Sequence, residues 1–173
     1  MKKFLFTIIA VQMILVASCV KDETYTPPEV EVESDIVLNE ILSKGMVDAI
    51  DKDYVELYNT GDEDIDISGY LINDKDNPLG GFVIPDGTII KAKGYYFVQQ
   101  PEFTESISSS GEFVSLGLPD GRLIESVDCP KSMTNTDLME GDDIELSFSR
   151  FPDGDGEWVN GTVPTPDSSN VGL

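Results

Sequence analysis

The sequence has no histidine, two cysteines, one tryptophan and only 11 basic side chains against 33 acidic ones, a formal charge of −22 over 173 residues. Each shortage removes a class of function. Without imidazole there is no Ser-His-Asp or Cys-His catalytic unit, no histidine metal site and no histidine switch near neutral pH. Two cysteines cannot build a four-cysteine zinc centre or a disulfide-rich scaffold. Bases are scattered, with Lys91 and Lys93 the only close pair outside the N-terminal leader, so there is no basic stripe to release counterions from a nucleic acid and no nucleic-acid partner is expected. Phosphate loops, redox pairs and cofactor fingerprints are missing too, and no cofactor, catalytic residue or metal ligand set is assigned. An apolar content of 40% is nonetheless enough for a packed core.

The longest apolar stretch, Phe4 to Val16, follows Lys2 and Lys3 and is broken only by Thr7 and Gln12. About 13 residues are too few to cross a hydrocarbon core of roughly 30 Å, which fits a secretion signal better than a membrane span. The stretch ends in Val16-Ala17-Ser18-Cys19, which resembles the lipobox of bacterial lipoproteins. That resemblance implies cleavage before Cys19, acylation of Cys19, and a membrane as partner through the lipid. An ordinary signal peptide cut at its small residues is the alternative. Cleavage removes two lysines and no acid, leaving 33 acids against nine bases and a charge of −24. Val20 is not the aspartate that retains many lipoproteins at the inner membrane, and Lys21-Asp22-Glu23 resembles a short acidic export signal. Together they imply a bacterial outer-membrane location, lipid-anchored and exposed at the cell surface, with a periplasm-facing lipoprotein as the alternative.

Three segments follow: a signal peptide over residues 1–18, the lipidated cysteine and an acidic extended tether over 19–34, and one β-sandwich domain over 35–173. The tether carries Pro27-Pro28 and the alternation Glu29-Val30-Glu31-Val32-Glu33, a composition that favours an extended chain of about 3.1 Å per residue. The same alternation suits an edge strand, which would end the tether earlier.

From Asp35 onward, short apolar runs separated by turn residues predict an all-β fold. Ile36 to Leu42 alternates across one strand. Tyr54 to Tyr58 forms another, with Val55 and Leu57 on one face and Tyr54, Glu56 and Tyr58 on the other. Further runs are Ile65 to Ile67, Tyr70 to Ile72, Phe82 to Ile84, Thr88 to Ile90, Tyr95 to Val98, Phe113 to Leu116, Leu123 to Val127 and Ile144 to Phe148. Pro85-Asp86-Gly87 and Pro119-Asp120-Gly121 read as tight turns, proline presetting φ and glycine accepting a positive one. Their spacing predicts a two-sheet sandwich with recognition loops at Ser43 to Lys52, Asn73 to Gly81 and Pro130 to Asp143.

Five segments carry a family likeness. Ile36-Val37-Leu38-Asn39-Glu40-Ile41, Asp53 to Asn59, Asp66-Ile67-Ser68-Gly69-Tyr70, Ser149 to Gly154 ahead of Trp158, and Thr165-Pro166-Asp167-Ser168-Ser169-Asn170 together resemble the lamin tail domain. The resemblance implies an immunoglobulin-like β-sandwich that tethers or binds and does not catalyse. Asp167 departs from it, standing where the family's closing motif has glycine.

Several side chains invite a chemical reading. Trp158 is expected to pack beside Arg150 and seal the sandwich, its alternative being a sugar platform shared with Tyr70, Tyr95 or Tyr96. Glu56 and Arg150, both in motif positions, are expected to find partners, each other among the candidates, because an unpaired buried charge is costly. Asp62, Asp64 and Asp66, and likewise Asp153, Asp155 and Glu157, alternate as calcium ligands do but lack the EF-hand glycine and distal glutamate, so solvated turn acids are the simpler reading. A pair of carboxylates across a cleft is the only catalytic chemistry the composition leaves open. Cys129 reads as a reduced, partly buried thiol. The function expected is a lipid-anchored envelope module that binds or scaffolds an extracellular protein or glycan. The alternative is an accessory glycan- or polymer-binding subunit of a surface hydrolase complex.

Overall fold

The computed structural model describes residues 32–43, 52–100, 102, 106–134 and 145–171. The signal segment, Cys19, most of the tether and most of the loops at 43–52 and 130–143 lie outside them. The described residues form twelve strands: β1 (Ile36–Leu42), β2 (Tyr54–Asn59), β3 (Ile65–Asp66), β4 (Leu71–Asn73), β5 (Phe82–Val83), β6 (Ile89–Ile90), β7 (Tyr95–Gln99), β8 (Glu112–Gly117), β9 (Leu123–Cys129), β10 (Met133–Thr134), β11 (Glu145–Phe151) and β12 (Glu157–Thr162). One antiparallel sheet runs β10-β11-β1-β2-β7 with β12 also on β11, a second runs β5-β4-β8-β9, and β3 and β6 make a small ribbon.

The core lies between the two sheets. Ile36, Leu38 and Ile41 of β1, Val55 and Leu57 of β2 and Val98 of β7 face Ile72, Val114 and Leu116 of the second sheet, and all are at most 1% exposed. Burying side chains of this size contributes about 1.5–3 kcal/mol each, which lets a domain of this length do without a disulfide. Cys129 is buried and free, and burial, with Glu112 and Asp128 nearby, pushes its thiol up to about 12. It is therefore a small apolar core residue and not a nucleophile.

The first strand corrects the sequence reading. Strict alternation from Ile36 would carry Leu38, Glu40 and Leu42 to one face. Instead the β1–β2 register shifts between Leu38 and Glu40, a bulge that reverses the phase of the strand. Leu38 and Ile41 both enter the core, while Glu40 turns outward opposite Glu56. The tight turns form as read: Gly121 N–H donates to Leu118 O at 2.9 Å, with Gly87 at φ 82° and Gly121 at φ 88°.

Candidate functional site

The outer face of the first sheet gathers an unusual set of polar side chains. Glu40 and Glu56 are cross-strand partners and both are 0% exposed. Ser147 and Ser149 of β11 and Thr162 of β12 lie beside them, equally buried, and Ser149 is the β11 partner of Glu40. A segment without strand pairing, residues 163–171, lies over this face. Its fastening ties together four of the five motif segments. Thr165 N–H donates to both carboxylate oxygens of Glu40 at 3.2 Å, Asp167 N–H to Glu56 Oε2 at 2.7 Å, and Asn170 N–H to Asp153 Oδ1 at 3.1 Å. Asn170 adds its side-chain amide, donating to Asn39 O at 3.3 Å and Arg150 O at 2.9 Å and accepting from Thr165 Oγ1 at 2.9 Å. Asn39 completes the weave, donating through Nδ2 to Glu56 and Asp153 and accepting from Gly154 N–H.

This cluster contains three carboxylates, and its hydrogen-bond donors are neutral. Burial pushes Glu56 up to about 8 and raises Glu40 as well, with the Asp153 charge adding to both rises and Glu40 adding to that of Glu56. The donors oppose that rise without cancelling it. Tyr95 Oη donates to Asp153 Oδ2 at 2.9 Å and lies 2.9 Å from Ser169 Oγ; burial, first, holds its phenol up at about 12. Asp167 sits at φ 60°, so the left-handed turn of the closing motif survives the loss of glycine. Aspartate is among the few residues that adopt this region readily.

Arg150 and Glu56 both find partners, but not each other. Arg150 turns to the opposite face of the sheet, pairs with Glu125 of β9, and donates to Leu38 O and Gly156 O at 3.0 Å each. Glu125 in turn accepts from Leu38 N–H at 3.0 Å. The β1–β11 pairing runs through Glu40 and Ile41, and at Leu38 the ion pair supplies the hydrogen bonds that a neighbouring strand would otherwise make. Trp158 packs as expected, stacked on Phe148 at 4.6 Å with the Arg150 guanidinium 4.9 Å over its ring.

The candidate aromatic platform does not assemble. Tyr70, Tyr96 and Trp158 pack toward the core, whereas Tyr95 lies on the outer face beside Tyr58 at 5.0 Å. The acidic turns are similarly occupied: Lys93 pairs with Asp62, Lys91 with Asp64, and Ser68 donates to Asp66. Of the second acidic run, Asp153 is held in the carboxylate cluster, and Asp155 and Glu157 are exposed.

One candidate recognition loop is well described. Asn73 Nδ2 donates to Asn77 O at 2.7 Å and Leu79 O at 3.2 Å, and Asn77 Oδ1 accepts from Leu79 N–H, so the loop between β4 and β5 is pinned from within. Beneath it opens a depression with an apolar floor of Val55, Ile72, Ile107 and Val114 and a rim of Asn73, Asp74, Lys75, Gly80 and Gly81. A Cβ on Gly81 would lie 2.1 Å from Ile72 O, so only glycine lets the loop approach β4 this closely.

Residues 29–138, more than half of the chain, match the family described as Lamin Tail Domain. The chain belongs to the lamin tail domain family. Its fold is accordingly immunoglobulin-like, all-β and built of antiparallel sheets, and the family is a non-enzymatic one. The match ends before β11, so the likeness of Ser149–Gly154 and Thr165–Asn170 rests on the motifs themselves. Comparison with curated proteins and with solved structures finds no match. Motif positions meet in the carboxylate cluster: Asn39, Glu40, Glu56, Asp153, Thr165 and Asn170 come from four motif segments that only the fold brings together. Sequence reasoning expected a partner for Glu56 but missed the assembly, reading Asp153 as a solvated turn acid and not singling out Glu40, because nothing local shows that the closing segment covers them.

Proposed function

We propose that this lamin tail domain protein is a lipid-anchored module of the bacterial cell envelope that binds or scaffolds other molecules and carries no catalytic centre of its own. The anchor is the acylated Cys19, the tether is residues 19–34, and the location is the outer membrane with the domain facing outward. The partner is an extracellular protein or glycan met by the end of the sandwich that carries Asn73–Gly81. The observation that carries this reading is the pinned loop over its apolar depression: recognition surfaces of rigid sandwiches are built from such loops. Support against an enzyme comes from the use to which the clustered acids are put. Glu40, Glu56 and Asp153 each hold a backbone N–H of the closing segment, and carboxylates so engaged do not face substrate across a cleft.

The anchor is tested by growth with radiolabelled palmitate. Label is expected on the wild-type chain and absent from Cys19→Ala, which should move to the soluble fraction; label retained in that variant would sink the anchor. Outward exposure is tested by protease on intact cells, where survival of the domain until the outer membrane is broken would place it in the periplasm.

A further inference from the structure

We propose that the closing segment, residues 163–171, is a latch that opens when the carboxylates beneath it ionise. The inference goes beyond the binding role above and does not depend on the anchor. It starts from how the segment is attached. Its contacts with the sheet run largely through side-chain acceptors: three consecutive-motif N–H groups, of Thr165, Asp167 and Asn170, each end on a different carboxylate, Glu40, Glu56 and Asp153. An element fastened by a handful of side chains sits at the low-stability end of a fold and opens without the sheet.

The groups facing these acids are known element by element. From β1 come Asn39 and Glu40, from β2 Tyr54 and Glu56, and from β7 Tyr95, with Phe97 the cross-strand partner of Glu56. β11 contributes Ser147, the turn after it Asp153, and the closing segment the backbone of Thr165, Asp167 and Asn170 with the Ser169 hydroxyl. The Asp167 side chain is itself acidic and exposed. Among these described partners there is no cation. Arg150 presents only its carbonyl to Asn170, and its guanidinium is committed to Glu125 on the other face.

Three acids in one water-poor site repel one another once all are charged, and neutral donors offset only part of that cost. With the segment closed, one acid keeps its proton most easily, and Glu56, raised to about 8, is the one so placed. Opening returns Glu40 and Glu56 to water, where their affinity for a proton drops to the ordinary 4.5. Each hydroxide that removes a proton therefore favours the open form. Closure is strongest below pH 4.5, weakens steadily above it, and stops changing once Glu56 has ionised in the closed form as well. The latch is thus shut in mildly acidic surroundings and released on the alkaline side of neutral, uncovering Ser147, Ser149 and Thr162.

The test is amide hydrogen exchange, resolved by residue on the full chain at pH 6, 7, 8 and 9, each rate divided by its intrinsic value. Protection of the Asp167 and Asn170 amides is expected to fall about tenfold per pH unit from 6 to 8, while β2 amides keep theirs. In Glu56→Gln the fall should be much shallower. Constant protection in the wild type, an equal fall in the variant, or loss of β2 protection in step with the segment would each overturn the latch. Should the variant not fold, carboxyl-carbon titration of the wild type decides: a Glu40 or Glu56 midpoint above 6 supports the proposal, and both near 4.5 overturn it.

Discussion

Leu38 and Asn39 are neighbours in β1, yet they open onto two polar clusters that handle buried charge in opposite ways. On the inner side, Leu38 offers its N–H to Glu125 and its carbonyl to Arg150, and the two side chains neutralise each other. On the outer side, Asn39 leads into Glu40, Glu56 and Asp153, where charge is met by backbone N–H groups and by retained protons. In the first cluster the two charges meet directly as an ion pair. The second answers to pH because protonation is one of the ways it is satisfied. Three backbone N–H groups of the closing segment end on acids with no cation among their described partners, which is the arrangement the proposed latch rests on.

The comparison is broken most severely by Arg150→Ala. That change leaves the half-buried Glu125 without its cation, removes the donors to Leu38 O and Gly156 O, and strips the cover from Trp158. Losing the cation of this half-buried pair together with two backbone hydrogen bonds costs about 3 kcal/mol or more, to be read from a urea titration, and unchanged stability would mean that the cluster is ornamental. Next in size is the pH response of the outer cluster. Because Glu56 binds its proton more tightly folded, at about 8, than unfolded, at 4.5, its contribution is fully present below pH 4.5 and is lost as pH rises through 8. The loss is on the order of a few kcal/mol and should be flattened in Glu56→Gln, measured by thermal melts at pH 5, 7 and 9.

Asn170→Ala is expected to cost about 1–3 kcal/mol, since it orphans Arg150 O and Asn39 O and frees Thr165 Oγ1. Its effect should concentrate in the closing segment, and equal loss of protection across both sheets would show that segment and sandwich are one cooperative unit. The smallest change is Asp167→Gly, which restores the family's glycine at φ 60°. Relief of the left-handed backbone and added freedom of the unfolded chain oppose each other, so stability should move by less than about 1 kcal/mol. A larger loss would assign the Asp167 side chain a role that its exposure does not suggest.

The strands were legible because their signals are local. Every apolar run read from Asp35 onward overlaps a strand among the described residues, and Val55 and Leu57 take the inner face as their alternation requires. β10 and β12 escaped, since Met133-Thr134 is too short to show a period and Glu157-Trp158-Val159-Asn160-Gly161-Thr162 is interrupted by polar residues and glycine. The bulge after Leu38 escaped as well. Ile36 to Leu42 is consistent with alternation in either phase, and only the demand that Leu38 and Ile41 both reach the core selects the shift. The site was half legible: Glu56, Arg150 and Asp167 stood out as motif positions, but Asp167 lies 111 residues from Glu56 and Arg150 lies 25 residues from Glu125 and 112 from Leu38.

By itself the sequence determined what short-range chemistry can determine: the all-β class, the turns at Pro85-Asp86-Gly87 and Pro119-Asp120-Gly121, the exclusion of histidine chemistry, and the family. Only the tertiary structure decided which of the 33 acids are solvated and which are buried. A carboxylate's state depends on the water it loses and the donors it gains. For Glu40 and Glu56 part of that comes from a segment more than 100 residues downstream in the chain, and composition carries no trace of that meeting.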